Sequence, residues 1–371
     1  MQKKDISDKQ VEYLIKVIAF FWLFAKIWSY KTWITERVYP VIPPIDLLKN
    51  VPGIFHQFIF GFSILALLGI LCFKTSRWLL ISLLTSEIIS CSLDTVRWQP
   101  WEYMYLCFLL MYIINFYKPK SILLLSHIFL VSIYLFSGLH KFNRDFLASV
   151  WRDMFLVDFL GLSMVFIVKY KLFFIGLLIP ITEVVLAILL VVSKSKRKVS
   201  YFLILMHVSI LILIGPIGLK YNSVVWPWNL AMIFILMITY AKPIECSYKN
   251  KIVPNLYWFV LWFLLPVFSL FGSWYQYFSF NLYSGKGNQM YICISENEKE
   301  LAPYFEPKSS TFCKGKVYIN LQNWALQEIK SVPLPELEIY RKMAIHLKKK
   351  YSKDDVKIIL YNSESQTSIE L

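Results

Sequence analysis

The chain has 371 residues, of which 57% are hydrophobic, and its mean hydropathy is +0.53. Because soluble domains are only about 45 to 50% apolar, this composition excludes an ordinary soluble globular protein. The net charge is +15, but the first 273 residues hold 26 Lys and Arg against 13 Asp and Glu. We interpret these basic residues as ones that set the membrane topology and attract lipid headgroups. We expect no nucleic-acid partner.

Apolar stretches long enough to cross a membrane recur up to about residue 272. A bilayer core of roughly 30 Å requires about 20 mostly apolar residues per helix. We predict spans near 13–33, 54–73, 78–94, 101–117, 121–140, 172–192, 199–218, 224–241 and 255–272. Lys16 and Lys26 interrupt the first span and must extend toward opposite headgroup layers; the count falls to eight if this segment only lies in the interface. Residues of about 142–160 mix charged and apolar side chains, which predicts an amphipathic helix on the membrane surface.

The distribution of Lys and Arg among the loops favours a cytoplasmic N-terminus in the cell (inner) membrane. Residues 1–273 then form the transmembrane domain, and residues 274–371 form a small extracytoplasmic domain. This tail has alternating pieces at Met290 to Ile294, Lys316 to Asn320 and Val356 to Tyr361, and a helix-like stretch near Leu337 to Lys350. The predicted fold is therefore an all-α multi-pass membrane helix bundle with a small α+β extramembrane C-terminal domain. Outside the cytosol, Cys293 and Cys313 either form a disulfide or remain two free thiols.

Ionisable residues at membrane depth are candidates for function because lipid does not solvate charge. Glu87 and Asp94 are seven residues apart, so both lie on one face of the third predicted span. Asp94 opens an aromatic and charged turn that also contains Arg97 and Glu102. These residues line a polar pocket, or they anchor the turn at the interface with Asp94 paired to Arg97.

Further ionisable groups follow on the later spans. Glu183 comes three residues after Pro180, whose missing N–H frees backbone for a polar pocket, and His207 is a pocket residue or a hydrogen-bonded packing residue. The segment Ser137 to Phe142 contains small residues that allow close helix approach, and it ends with His140 and Lys141. A desolvated Lys141 can lose its proton and act as a base, whereas the structural alternative is a lysine that extends to the headgroups.

Three short motifs resemble a known family. They are Asp94 to Tyr105 (DTVRWQPWEYMY), Ser137 to Phe142 followed by Trp151, and Trp226 to Ala231 after His207. Together they resemble bacterial proteins with a horizontally transferred transmembrane domain, which are similar to the membrane portion of vitamin K-dependent gamma-glutamyl carboxylase. The resemblance covers about residues 10–285.

This resemblance implies a quinone or quinol as the cofactor or substrate. It places the proposed base that deprotonates the reduced quinone at Lys141, with His140 where the carboxylase has a second lysine. Trp101 stands where the carboxylase has a functional histidine, and the tail is much shorter than the carboxylase's lumenal region. The resemblance therefore implies a quinol or lipid pocket rather than carboxylation of protein glutamates.

Three functional hypotheses remain open on the sequence alone. The first is a membrane enzyme that acts on a quinol or another lipid-soluble molecule near the outer face, with Lys141 as base. The second is a redox-associated subunit that resembles the DoxX group, and the third is a non-enzymatic binding or immunity-type protein with an extracytoplasmic peptide or protein partner. We find no metal-binding motif in the sequence and predict no metal site.

Overall fold

The computed structural model describes residues 6–244, 255–306, 313, 316–351, 356–363 and 365–371. The protein is mostly helical, with a small antiparallel sheet near the C-terminus. Its residues fall into two compact units. The first consists of Met1–Ala25, Ile64–Thr85 and Pro100–Gly285, and the second consists of Lys26–Ser63, Ser86–Gln99 and Lys286–Leu371. The unit that carries the sheet therefore also includes two segments from the first hundred residues.

Helices account for most of the described chain. The α-helices are Ile6–Trp28, Tyr30–Trp33, Gly53–Cys72, Arg77–Leu93, Pro100–Ile114, Pro119–His140, Met164–Lys169, Leu178–Val192, Lys196–Ile214, Val225–Thr239, Leu256–Phe259, Leu265–Ser269, Leu321–Ile329 and Leu337–Lys350. Short 3₁₀ segments occur at Asp46–Asn50, Thr95–Arg97, Leu172–Leu177, Tyr277–Ser279 and Ala302–Tyr304. Two segments have π-helical geometry, Phe146–Phe159 and Val260–Leu264.

Four helices of the described residues are long and apolar enough to cross a membrane, which supports a membrane protein. They are Gly53–Cys72, Pro119–His140, Leu172–Val192 and Lys196–Ile214. The predicted count of nine is not supported. Pro100–Ile114 and Val225–Thr239 have only 15 residues each, so each is about 22 Å long at 1.5 Å per residue. Arg77–Leu93 has 17 residues, and Ile6–Trp28 carries several charged side chains.

Pro119–His140 lies in the interior of the first unit. Of its apolar window, 83% is buried, against 28 to 33% in the other three candidate spans. Small residues permit this central position because they let neighbouring backbones approach closely. Gly138 is the clearest case, since a Cβ atom there would lie 2.8 Å from Val184 Cγ2 and 3.1 Å from the Pro180 carbonyl oxygen. Leu178–Val192 therefore packs directly on this helix.

The second unit contains a four-stranded antiparallel sheet. Its strands are β1 (Asn288–Ile294), β2 (Val317–Asn320), β3 (Lys357–Asn362) and β4 (Thr367–Glu370), in the order β2-β1-β3-β4. Alternate residues of β1, Met290, Ile292 and Ile294, face a core that includes Trp324 and Tyr340 from the two helices of the tail. The small α+β fold of the tail follows from this alternation.

Cys293 and Cys313 form a disulfide with a Cα–Cα distance of 5.4 Å. Cys293 lies between core-facing residues of β1, so its side chain projects to the other face of the sheet, where it packs with Ile359. Of the two alternatives that the sequence left open, the structure therefore has the bridged one. The bridge ties Cys313 to strand β1.

Segments from the first hundred residues complete the second unit by hydrogen bonding to the tail. Thr32 Oγ1 donates to the Ile329 carbonyl oxygen at 2.7 Å. The backbone amides of Val38 and Tyr39 donate to the Glu328 carboxylate at 2.6 and 2.9 Å. Gln99 Nε2 donates to the Val332 carbonyl oxygen at 2.7 Å. The tail and the residues near the predicted interface turn therefore belong to one hydrogen-bonded unit.

Candidate functional site

A buried ion pair joins two of the predicted site residues of the first unit. Lys141 is the C-cap of helix Pro119–His140, and its Nζ lies 2.7 Å from each carboxylate oxygen of Glu183. The same Nζ donates to Ser137 Oγ at 2.9 Å. Lys141 is 8% exposed and Glu183 is 3% exposed. All three N–H groups of an ammonium therefore have acceptors within the protein.

Close contact between the two backbones sets this geometry. A Cβ atom on Gly138 would lie 3.0 Å from Glu183 Cβ, so only glycine lets the two helices approach this closely. Lys141 follows Gly138 by three residues, which places both on one side of the helix. Lys141 can therefore reach Glu183 directly instead of extending toward the headgroups.

An apolar cavity of about 440 Å³ lies beside the pair. Its lining consists of Lys141, Phe146, Val150, Trp151, Met154, Phe155, Leu178, Ile179, Thr182, Glu183, Met206, Ser209, Ile210, Leu213, Ile214 and Tyr283. Cavities of roughly 300 to 1,000 Å³ with apolar walls and a few converging polar groups are typical of small-molecule sites. Here the charged pair and three hydroxyl side chains supply the polar groups. The cavity can therefore hold an apolar molecule that carries a hydroxyl or carbonyl group.

The predicted amphipathic segment forms one wall of this cavity. Residues Phe146–Phe159 are π-helical, and the rings of Trp151 and Phe155 stack at 4.8 Å with an interplanar angle of 22°. Trp151 Nε1 donates to the Leu172 carbonyl oxygen at 2.9 Å, which fixes the indole. Gly176 leaves the room that the indole occupies, because a Cβ atom there would lie 2.5 Å from Trp151 Cγ. π-Helical turns occur frequently at functional sites.

Other predicted site residues of the first unit have partners away from the cavity lining. His140 Nε2 lies 2.9 Å from Ser269 Oγ. His207 contacts the Tyr134 hydroxyl and Asn229 Oδ1, each at 2.8 Å, so it is a hydrogen-bonded packing residue. Glu102 accepts a hydrogen bond from Trp22 Nε1 at 2.7 Å. Among the described residues, the cavity thus has Lys141 and Glu183 as its only charged side chains.

The remaining predicted site residues lie in the second unit and pair differently from the sequence prediction. Glu87 Oε2 binds Lys26 Nζ at 2.7 Å, and both side chains are fully buried. Lys26 also lies over the Trp33 ring at 3.2 Å, so it does not extend to the headgroups as predicted. Asp94 forms its ion pair with Arg37, and its other oxygen accepts from the Ile42 amide. The predicted pairing of Asp94 with Arg97 is therefore wrong, because Arg37 neutralises this carboxylate.

Arg97 is a fully buried hydrogen-bond donor. Its guanidinium donates to the carbonyl oxygens of Thr32, Trp33 and Ser90 at 2.9 to 3.1 Å. It also lies 2.9 Å from His56 Nδ1, which must accept because guanidinium has only donors. Burial lowers the pKa of Arg97 to about 10, with the Asp94 carboxylate opposing that shift. Arg97 therefore remains charged near neutral pH and binds three carbonyl oxygens from two backbone segments.

Sequence reasoning missed Arg37, His56 and Glu328, which complete the buried polar contacts of the second unit. Arg37 and Glu328 lie outside the apolar runs, so no residue pattern marked them as buried. The position of Lys26 inside an apolar run indicates that it has a buried partner of opposite charge. Its partner, Glu87, is 61 residues away in sequence.

Comparison with known proteins yields no relative. No family model, curated protein or solved structure matches the chain. The similarity to the horizontally transferred transmembrane domain family rests on three short motifs and stays a prediction.

Proposed function

We propose that this chain is a multi-pass protein of the cell (inner) membrane that binds a quinol or another lipid-soluble small molecule and removes a proton from it. The observation that carries this proposal is the buried Lys141–Glu183 pair in the wall of an apolar cavity of about 440 Å³. The largely apolar walls of this cavity strengthen the interaction of this pair with an entering hydroxyl group. The resemblance to the vitamin K-dependent carboxylase membrane portion points to the same ligand class.

Proton counting supports a role for the pair as the base. The pair shares one proton, whether it is an ammonium with a carboxylate or an amine with a carboxylic acid. In the first form Glu183 can accept a proton, and in the second form Lys141 can. Both routes end in the same state, an ammonium beside a carboxylic acid, while the ligand becomes an anion held by the ammonium. Lys141 therefore stabilises the product charge in either case.

The cavity lining supports an aromatic ligand of low polarity. Trp151 and Phe155 present stacked rings, and offset stacking on such rings favours a flat aromatic molecule. The aliphatic walls formed by Leu178, Ile210 and Leu213 suit an isoprenoid or acyl chain. A quinol with an apolar tail combines these two features with an ionisable hydroxyl group.

We also propose an orientation, with the N-terminus in the cytoplasm and the tail outside it. The Cys293–Cys313 disulfide supports this orientation because disulfides persist in oxidising compartments. Opposite locations of the two ends require an odd number of crossings. Residues 32–44 hydrogen-bond to the tail and so lie on its side of the membrane, which means that this orientation requires Ile6–Trp28 to cross in addition to the four long helices. Alkylation of reduced and unreduced whole cells with a membrane-impermeant thiol reagent tests where the cysteines lie.

Ligand binding can be tested with two substitutions on one helix. Ile210 lines the cavity, whereas Ile212 is 45% exposed on the outside of the same helix. Ile210→Trp fills the cavity, and we expect it to abolish co-purification of quinone or isoprenoid lipid measured by extraction and mass spectrometry. Ile212→Trp adds the same volume outside the cavity and should retain the ligand. Equal ligand content in both variants would show that the cavity is not the binding site.

Proton removal can be tested on the bound ligand. When a reduced quinone is added to the purified protein, we expect the absorption band of the quinolate anion at neutral pH. The double substitution Lys141→Met/Glu183→Leu removes both ionisable groups together and should bind the quinol without that band. Lys194→Met, which changes an exposed lysine, is the matched control. A protein that binds quinol and shows no quinolate band is a binding protein without base chemistry, the non-enzymatic alternative.

A further inference from the structure

One helix of the tail carries basic and apolar residues on the same exposed face. In Leu337–Lys350, Arg341, Ile345 and Lys349 follow each other at intervals of four residues, so they form one stripe. All three side chains are exposed, and Ile345 is 68% exposed. The stripe therefore places one large apolar side chain between two cations, on the face opposite the buried Tyr340 and Met343.

A second segment of the same unit lies next to this stripe. Lys342 Nζ donates to the Pro44 carbonyl oxygen at 2.6 Å, which places the start of this segment beside the helix. In this segment Ile45 is 61% exposed and Leu47 is 79% exposed. Lys49 adds a further cation and pairs with Asp46 at 2.8 Å. The combined surface is therefore basic and also carries three exposed aliphatic side chains.

The position of this segment in the chain indicates what covers the surface. The candidate span Gly53–Cys72 begins four residues after Lys49. Residues 45–49 must therefore lie close to the headgroup layer where this helix enters the bilayer. Basic side chains with interspersed aliphatic ones suit that layer, because cations bind lipid phosphates while aliphatic side chains enter the acyl boundary.

We infer that Arg341, Ile345, Lys349, Ile45 and Leu47 form a binding surface for anionic phospholipid headgroups of the membrane in which the chain sits. Arg341 and Lys349 bind the phosphodiester, and Ile345, Ile45 and Leu47 insert beside it. A soluble polyanion would satisfy the cations but would leave the three aliphatic side chains in water. A lipid surface satisfies both. This inference does not depend on the ligand of the Lys141 cavity.

Native mass spectrometry of the full chain in neutral detergent tests this inference. Phosphatidylglycerol and phosphatidylcholine with identical acyl chains are added, and the bound lipids are counted. We expect preferential binding of phosphatidylglycerol, and a loss of roughly tenfold in its affinity in Arg341→Glu/Lys349→Glu. Lys299→Glu/Lys330→Glu makes the same charge change elsewhere in this unit and should leave the preference intact. Ile345→Gln should weaken binding several-fold while the charge stays constant.

Three outcomes would overturn the inference. Equal phosphatidylglycerol binding by the wild type and Arg341→Glu/Lys349→Glu would show that these cations do not contact lipid. Equal losses in the two double variants would show an effect of overall charge alone. Displacement of the lipid by glycerol phosphate at a similar concentration would identify a site for a free phosphate. Retention of the Cys293–Cys313 disulfide and of a monodisperse profile verifies that each variant is folded.

Discussion

Lys141 Nζ lies 2.7 Å from both carboxylate oxygens of Glu183, and this contact joins two helices inside the first unit. Removal of one partner leaves a buried charge without compensation, which typically costs about 3 to 5 kcal/mol. We therefore expect Glu183→Ala to lower the unfolding temperature in detergent strongly. Lys141→Met/Glu183→Leu should recover most of that loss because no charge remains. A double variant as unstable as Glu183→Ala would contradict this account of the pair.

Gly138 controls how closely the two helices of the pair approach. A methyl group there would lie 2.8 Å from Val184 Cγ2, so Gly138→Ala overpacks the contact. We expect a loss of about 1 to 3 kcal/mol, read from thermal unfolding followed by size-exclusion chromatography. Gly61→Ala is the matched control, because a Cβ atom on that helical glycine meets nothing within 4 Å. The prediction fails if the two variants unfold at the same temperature.

The Cys293–Cys313 bridge closes a loop of 20 residues in the second unit. Loss of a bridge of this size typically costs about 3 kcal/mol, because the unfolded chain gains freedom. We expect Cys293→Ser/Cys313→Ser to lower stability and to remove the gel shift between reduced and non-reduced samples. Cys72→Ser changes an exposed free thiol and should change neither property. A persistent gel shift in the double variant would show that other cysteines form the bridge.

Arg97 binds three backbone carbonyl oxygens from two segments through the fixed geometry of its guanidinium group. A lysine cannot reproduce these donor directions, so Arg97→Lys leaves buried carbonyl oxygens of Thr32, Trp33 or Ser90 unpaired. Each unpaired group costs about 1 to 3 kcal/mol. Arg144→Lys makes the same change at an exposed position and should be neutral. Faster proteolysis of residues 26–63 and 286–371 in Arg97→Lys than in the wild type would show this loss of stability.

His346 gives the second unit a predicted dependence on pH. Burial lowers the pKa of His346 below its ordinary value of 6.5, and the neighbouring charges of Lys350, Lys49 and Lys349 add to this effect. The unfolded chain therefore binds a proton more readily than the folded chain. The stability contribution is present above about pH 6.5 and is lost as the pH falls below it. His346→Gln should flatten this acid-side loss in thermal unfolding without anionic lipid, and an unchanged pH profile would exclude His346 as its source.

The sequence predicts the long apolar helices well because lipid-crossing segments have a strong local signal. The predictions near 54–73, 121–140 and 172–192 match Gly53–Cys72, Pro119–His140 and Leu172–Val192 closely. The count of nine is not supported by helix length, because a 15-residue apolar helix has the same composition as a membrane span. Val225–Thr239 shows this ambiguity. Local hydropathy alone does not separate these two cases.

Partners of buried charges were much harder to predict than helices. Lys141 and Glu183 were both recognised as candidates, but their contact spans 42 residues and depends on the absence of a side chain at Gly138. Asp94 was given the wrong partner because Arg97 is nearer in sequence than Arg37. Burial selects partners by tertiary contact, so spacing along one helix shows only which residues share a face. The cavity could not be predicted for the same reason, because its lining residues are far apart in sequence.

The hydrogen bonds between early and late residues of the second unit constrain the order of its assembly during translation. Thr32 and Ile329 are 297 residues apart, and the amides of Val38 and Tyr39 depend on Glu328. Ribosomes deliver the N-terminal segment first, so these groups lack these partners until Glu328 and Ile329 have been synthesised. A nascent chain that stops before residue 328 would insert its first helices and still lack these contacts. Synthesis of Glu328 and Ile329 therefore sets the earliest time at which Thr32, Val38 and Tyr39 can form these hydrogen bonds.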